Sequence, residues 1–322
     1  MRAVVRDSYG SPDVLRVEDV PVPDMASGQV LVRVHATSVN DYDWHLLTGH
    51  PFVNRVVAPW RPKHRILGCD AAGTVEAVGD AVTGLRPGDR VYGDMCTAGL
   101  GAFAEYVSAP ASTFAVIPGS LTFEQAAAVP EAGGLAMLGM RARRLVGPGD
   151  DVLINGGGGG VGTIAIQTAK SLGAHVSGVD AAHKLATMTA VGADRVVDYR
   201  VEDVAREGRT YDLVLDVAAY RPMSAYLRLL KPGGYAALIG GSIPRLFATM
   251  AVGPVRSRFS DRAVGVPLWR PNNPSDVAYL GALLESGAVS PVIDSVHPLE
   301  DVADAMRRFG AQQHTGKIVI AV

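Results

Sequence analysis

Cysteine is almost missing from this 322-residue chain, with Cys69 and Cys96 its only two. That count excludes a disulfide framework and a four-cysteine zinc lobe. No apolar run approaches the roughly 18 residues of a membrane span. The opening Met1-Arg-Ala-Val-Val-Arg-Asp7 has no signal-peptide layout. Neither sign of charge dominates: 30 Lys and Arg stand against 32 Asp and Glu, a net −2. No global field therefore draws nucleic acid or an anionic membrane. With 48% hydrophobic and 19% charged residues the chain reads as globular, and its length suggests about two domains. The expectation is a cytoplasmic protein, monomeric or homodimeric, with no nucleic-acid or membrane partner.

Glycine is what the chain concentrates. Asn155-Gly-Gly-Gly-Gly-Gly-Val-Gly162 follows the short β-rich run Val152-Leu-Ile154, and Val161, Ala165, Ala169 and Leu172 then recur at helical spacing. Read as G-x-G-x-x-G, the glycines are Gly157, Gly159 and Gly162, with Gly158, Gly160 and Val161 between them. They serve a tight turn, a close backbone approach to a pyrophosphate, and close packing of helix on strand. The helix N-terminus offers unpaired N–H groups and a positive dipole end to the phosphates. Asp180 ends the next apolar run, 18 residues beyond Gly162, near the spacing of a ribose-contacting carboxylate. A flexible glycine linker is the alternative, and linkers do not sit inside a strand–helix rhythm.

That rhythm continues through Lys184–Val191, Arg195–Tyr199, Asp212–Asp216 and Tyr235–Ile239, with Val264–Leu268 as a sixth strand. Strands alternating with helices mean βαβ units on a parallel sheet. Residues 1–118 read instead as short strands with frequent turns, fitting a small barrel: Gln29–Thr37, Gly73–Gly79, Leu85–Gly93 and Ala102–Ala109. Helical patterns follow at Phe123–Val129 and Glu131–Arg143. The tail has helices at Asp276–Glu285 and Leu299–Phe309 and strands at Val292–Asp294 and Lys317–Val322.

The chain resembles the medium-chain dehydrogenase/reductase superfamily, in its zinc-free quinone oxidoreductase branch of reticulon-interacting-protein-like members. The resemblance rests on Ser38-Val-Asn40 with Asp43, Leu67–Gly79, Pro87-Gly-Asp89, Gly101–Tyr106, Val152–Gly173, Gly192-Ala-Asp194, Asp198-Tyr199 and Gly316–Ile320. It implies an α/β protein, a Rossmann doubly wound parallel sheet at 119–268 inserted into a GroES-like β-barrel catalytic domain formed by 1–118 and 269–322, with the active cleft between them. It also implies NAD(P)H as cofactor, with Gly240 and Lys317 among its contacts.

Zinc-using relatives hold their catalytic metal with a Cys where this chain has Asn40, a His where it has Cys69, and a third ligand near Ala132. A catalytic site needs three protein donors. Counting one thiol beside an amide, the expectation is no metal, with Cys69 a small buried hydrophobe. Without a Lewis acid the substrate must accept hydride readily, as quinones and α,β-unsaturated carbonyls do. Asn40 can donate its amide N–H to a developing oxyanion. Tyr42 and His45, one helical turn apart, stand where alcohol dehydrogenase cousins carry a proton relay, and a His suits proton delivery. Packing for Tyr42, a ribose contact for His45, and a proton from water are the alternatives.

Phe52 and Trp60, with Leu246, Phe247 and Met250 of the stretch 242–259, are expected to wall the substrate. Arg245, Arg256, Arg258 and Arg262 attract an anion or form a solvated face. Leu135 stands where relatives have a Thr against the nicotinamide, and Gly157 and Gly158 where they have Ala-Ser. For the dinucleotide, Asp180 points to NADH, whereas Lys184 and Tyr199 resemble phosphate contacts of NADPH users; the balance favours NADH. The leading function is zinc-independent reduction of quinones or enones. A metal-free alcohol/aldehyde oxidoreductase and a low-turnover dinucleotide-binding sensor or scaffold are the alternatives.

Overall fold

The computed structural model describes residues 1–56, 58–119, 121–256 and 260–322, with backbone alone at 53, 54 and 254–256. Two compact units emerge. The first comprises Met1–Glu131, Pro271–Gly281 and Pro291–Val322, the second Ala132–Arg270 and Ala282–Ser290.

In the first unit β1 (Arg2–Val5) pairs antiparallel with β2 (Arg16–Asp19). The long β3 (Gln29–Ser38) leads through Asn40 into α1 (Asp41–Thr48), and β4 (Asp70–Val78), β5 (Arg90–Asp94), β6 (Tyr106–Pro110) and β7 (Ala115–Val116) follow. The alternation of β3 buries Val30, Val32, Val34 and Ala36, and the first three pack with Val75 of β4, Val91 of β5 and Phe114. This is the period-2 pattern of a strand with one face on a core. The unit runs past 118 to Glu131, because α2 (Phe123–Ala127) packs on β3 and β4 and the Phe123 ring stacks on His35 at 4.3 Å.

Helix α3 (Pro130–Met140) carries the chain onward to β8 (Asp151–Asn155), α4 (Gly160–Ser171), β9 (His175–Asp180), α5 (Leu185–Ala190), β10 (Arg195–Asp198), β11 (Tyr211–Asp216), α6 (Met223–Leu229), β12 (Leu230–Leu238), α7 (Ile243–Arg256) and β13 (Ala263–Gly265). The second unit's sheet has the order β10-β9-β8-β11-β12-β13, every pair parallel. That is the doubly wound dinucleotide-binding order, and it reverses between β8 and β11, where such sheets bind ligands beyond the strands' carboxyl ends. The sixth strand stops at Gly265, two residues before Pro267, which has no N–H for a ladder.

The chain then forms α8 (Pro274–Glu285), β14 (Ile293–Pro298), α9 (Val302–Gly310) and β15 (Lys317–Ala321). Residues 282–290 cluster with the second unit rather than with the rest of the tail. Gln167 of α4 explains this: it donates to Ser290 O and accepts from Ser290 N, each at 2.9 Å. Strand β15 returns to the first unit and pairs antiparallel with β3, Val319 opposite Ser38. That register brings Lys317 beside Asn40.

Candidate active site

In the second unit the glycine run is the turn between β8 and α4. Thr163 N makes the first helical bond of α4, to Gly159 O at 2.9 Å. The amides of Gly160, Val161 and Gly162 precede it and so have no helical acceptor, which is the geometry of an anion cradle. A Cβ on Gly162 would collide with Gly156 O, so helix and strand meet this closely only with glycine there. Gly157 and Gly158 have a second reason. A Cβ on Gly157 would stand 2.6 Å from Met188 Sδ, and one on Gly158 would stand 2.5 Å from Lys184 Cβ. The Ala-Ser of relatives would here require the Met188 thioether to shift and Lys184 to move at its Cβ. Gly240, beyond β12, passes so close to Val217 O that a Cβ would clash.

Asp180 is engaged by its own loop. Its Oδ2 accepts from Gly158 N at 2.9 Å and its Oδ1 from Ala181 N at 2.8 Å, with Lys184 Nζ 3.8 Å from Oδ1. Lys184 is buried, and Tyr199 is exposed with the Arg200 guanidinium 5.6 Å from its ring centroid. The carboxylate expected to receive ribose hydroxyls is thus the pin of the glycine turn. Sequence reasoning missed Asp216, which ends β11. It accepts from Asn155 Nδ2 at 2.7 Å, Ala218 N at 2.9 Å and Tyr226 Oη at 2.8 Å, fixing the residue from which the loop springs. Burial raises its carboxyl above the usual range. An acid closing an apolar strand was the available signal. Leu135 is half-buried and Phe247 exposed on α7. Arg258 and Phe259 lie outside the described residues, as does the Arg256 side chain.

In the first unit, Asp70 is the hub. Its Oδ2 accepts from Ser38 Oγ, from Asn40 Nδ2 at 2.8 Å and from Lys317 Nζ at 3.2 Å, and its Oδ1 accepts from Glu131 N at 2.9 Å. Lys317 also donates to Val39 O at 3.1 Å and to Asn40 Oδ1. Two expectations change. Both amide hydrogens of Asn40 are committed, to Asp70 and to Ser38 O, so no N–H remains for an oxyanion. All three N–H groups of the buried Lys317 are spent inside this unit, which removes it from the cofactor contacts. Asp43 holds the start of α1, accepting from Asn40 N, Gly68 N and Cys69 Sγ. Burial pushes its carboxyl up to about 6.

Tyr42 is 39% exposed. Its phenol is raised, first by burial and then by facing Cys96, Cys69, Glu131 and Asp43. His45 points to Asp41, with Nδ1 3.4 Å from Oδ2, on the same turn. Phe52 and Trp60 are 69% and 89% exposed.

A family model described as an alcohol dehydrogenase GroES-like domain matches residues 26–119, and one described as a zinc-binding dehydrogenase matches 191–320. The chain is 33% identical to the 2-methylene-furan-3-one reductase of Solanum lycopersicum, over 99% of this chain and 79% of that protein. It is 30% identical to the quinone oxidoreductase of Homo sapiens, over 99% and 97%. The solved structure of Escherichia coli quinone oxidoreductase complexed with NADPH superposes with a TM-score of 0.86 at 25% identity, covering 100% of both chains.

One of those descriptions names zinc, and the donors can be tested against it. Asn40 does not fit, because its amide oxygen faces the Lys317 ammonium. Cys69, Cys96 and Glu131 do fit: their sulfur and oxygen atoms all lie within 4.8 Å of one another. Counting cysteines along the sequence missed this, because Cys96 joins the other two only through the pairing of β4 with β5. A dinucleotide phosphate fits the second unit, where backbone amides and Lys184 surround a turn kept clear by glycine.

Proposed function

This chain belongs to the medium-chain dehydrogenase/reductase superfamily, in its quinone oxidoreductase branch, and from that premise we propose that it reduces quinones or α,β-unsaturated carbonyls with NADPH. The observation that carries the reading is the phosphate cradle of Gly160, Val161 and Gly162, with Lys184 lying across the glycine turn. The human relative is named for quinones and the tomato relative for an enone, acceptors whose reduction gives a delocalised oxyanion.

The bound nicotinamide would supply the hydride. The chain's own groups bind, orient and deliver a proton. The amides at the N-terminus of α4 hold the pyrophosphate. Tyr42, half-exposed, its phenol raised first by burial and then by its acidic neighbours, donates from its phenol oxygen toward the reduced acceptor. Asn40 acts as a positioning residue: fixed by Asp70 and Lys317, it sets the first turn of α1 and with it Tyr42. The proposed transfer uses no Lewis acid, since Asn40 occupies the position of a zinc-binding Cys in zinc-using relatives.

NADPH replaces the sequence expectation of NADH. Asp180 already accepts two backbone amides and sits beside Lys184, so it is not a free carboxylate facing a 2′-phosphate. A unit charge pair 4 Å apart is worth about 4 kcal/mol at an effective dielectric near 20. Lys184, 3.8 Å from Asp180 Oδ1, offsets that carboxylate and is the cation this loop offers to a 2′-phosphate.

Steady-state kcat/KM with NADPH and NADH, each against a benzoquinone, an enone and a simple aldehyde, tests the proposal. Expected are a preference of at least about tenfold for NADPH, equivalent to 1.4 kcal/mol, and negligible aldehyde reduction. Comparable turnover of the aldehyde, or faster reaction with NADH, overturns the respective half.

A further inference from the structure

We propose that Cys69, Cys96 and Glu131, backed by Asp94, form a site for one Zn²⁺ ion in the first unit. Two paired strands and one helix build it. Asp70 of β4 lies opposite Asp94 of β5 in the antiparallel ladder, so Cys69, just before β4, and Cys96, two residues past β5, meet at the same end of the pair. Glu131, in the first turn of α3, is tied to that rung by its own N–H, which donates to Asp70 Oδ1 at 2.9 Å.

The distances suit a tetrahedral ion. Zinc bonds of about 2.3 Å to sulfur and 2.0 Å to oxygen place two such ligands about 3.5 Å apart. Cys96 Sγ stands 3.6 Å from Glu131 Oε2, and all three donor atoms lie within 4.8 Å of one another. Two thiolates and a carboxylate form a donor set that prefers zinc to magnesium or calcium.

A second observation points the same way. Asp94 is 1% exposed and faces the Cys96 thiol. Its Oδ1 accepts from Cys96 N at 2.7 Å, whereas its buried Oδ2 has no hydrogen-bond partner among the described residues. Native structures rarely leave a buried carboxylate oxygen unpaired, and a cation, directly or through a bound water, satisfies it. Cys96 is only half-buried, which leaves a path for the ion.

The site differs from the ligand set of zinc-using relatives, in which Asn40 stands in place of a Cys. Its thiols would release their protons to solvent on binding. The proposal rests on this unit's donors and not on the choice of NADPH; because Tyr42 faces the same three side chains, the test reads metal content and the cobalt spectrum rather than turnover.

The test uses tag-free, full-length protein dialysed against metal-free buffer after purification in the presence of Zn²⁺. Elemental analysis should find close to one equivalent of zinc. Replacement by Co²⁺ should give thiolate-to-cobalt charge-transfer absorption. Cys96→Ser should halve that absorption and weaken Zn²⁺ binding by more than the roughly 10–100-fold typical of losing an outer-shell partner. Asp94→Asn, which keeps the side chain's size, should weaken it within that smaller range. Circular dichroism of each variant establishes that it folds. The wild-type zinc content and cobalt spectrum need no variant at all. Wild-type protein that binds neither metal stoichiometrically, or a folded Cys96→Ser protein that binds Zn²⁺ as wild type does, overturns the proposal.

Discussion

At the scale of the residue, the most constrained group in the first unit is Lys317. An ammonium buried to 5% exposure survives only when its hydrogens are all accepted, and Val39 O, Asn40 Oδ1 and Asp70 Oδ2 accept them. Lys317→Met keeps the stem and deletes the charge, leaving Asp70 buried without its cation. Breaking one side of a buried pair costs about 3–5 kcal/mol. The urea midpoint of the variant should fall accordingly, and a loss below about 1 kcal/mol would mean that Asp70 is balanced by its other donors alone. Little of this was legible in the sequence. Lys317-Ile-Val-Ile320 reads as a strand by its composition, but which strand it meets is not written locally. Only the β3–β15 register, set across nearly the whole chain, turns a residue expected at the cofactor into the partner of Asn40. The same holds for Asn40, whose amide looked free until its neighbours were known.

At the scale of the element, the strand–turn–helix of β8 and α4 was legible because each of its features is local. The apolar run, the glycines and the helical period lie within some twenty consecutive residues. The loss of the relatives' serine was legible only as a departure. Its cause lies on the segment after β9, where Lys184 and Met188 press on the turn. Gly158→Ser tests that cause. The new Cβ would stand 2.5 Å from Lys184 Cβ, the rigid base of the side chain rather than its mobile tip, so Lys184 must be displaced. If Lys184 supplies the charge that meets a 2′-phosphate, the variant should bind NADPH about tenfold more weakly, a change of 1.4 kcal/mol. NADH binding should change much less. Fluorescence titration of both dinucleotides reads this directly, and equal weakening of the two would assign the effect to the loop's shape. The site in the first unit was less legible than the glycine turn for the same reason: its donors come from the ends of β4 and β5 and from α3, and spacing along the chain encodes none of their meetings.

At the scale of the whole molecule, 30 basic residues nearly balance 32 acidic ones. Self-repulsion is therefore weak near neutrality, and stability in mild acid depends on individual partnered carboxylates. Asp150, at the entry to β8, is one of them. Its Oδ2 accepts from Arg144 Nη1 at 2.6 Å and from Gly147 N at 2.8 Å, and its Oδ1 from Arg144 Nη2 at 2.7 Å. The Arg144 guanidinium, more than the opposing effect of burial, holds this carboxyl below its ordinary value of 3.8. A folded-state value below the unfolded one means that the ionised group stabilises the fold. That stabilisation is complete above the unfolded value and disappears as pH falls through the folded one. Arg144 is 61% exposed, so water screens the pair, and Asp150→Asn should cost only about 1 kcal/mol at pH 7. Urea unfolding of wild type and variant at pH 7, 5 and 3 should give a constant difference between the first two and a smaller one at the last. A difference that persists undiminished at pH 3 would mean that hydrogen bonding by the neutral side chain, not its charge, fixes the turn before β8.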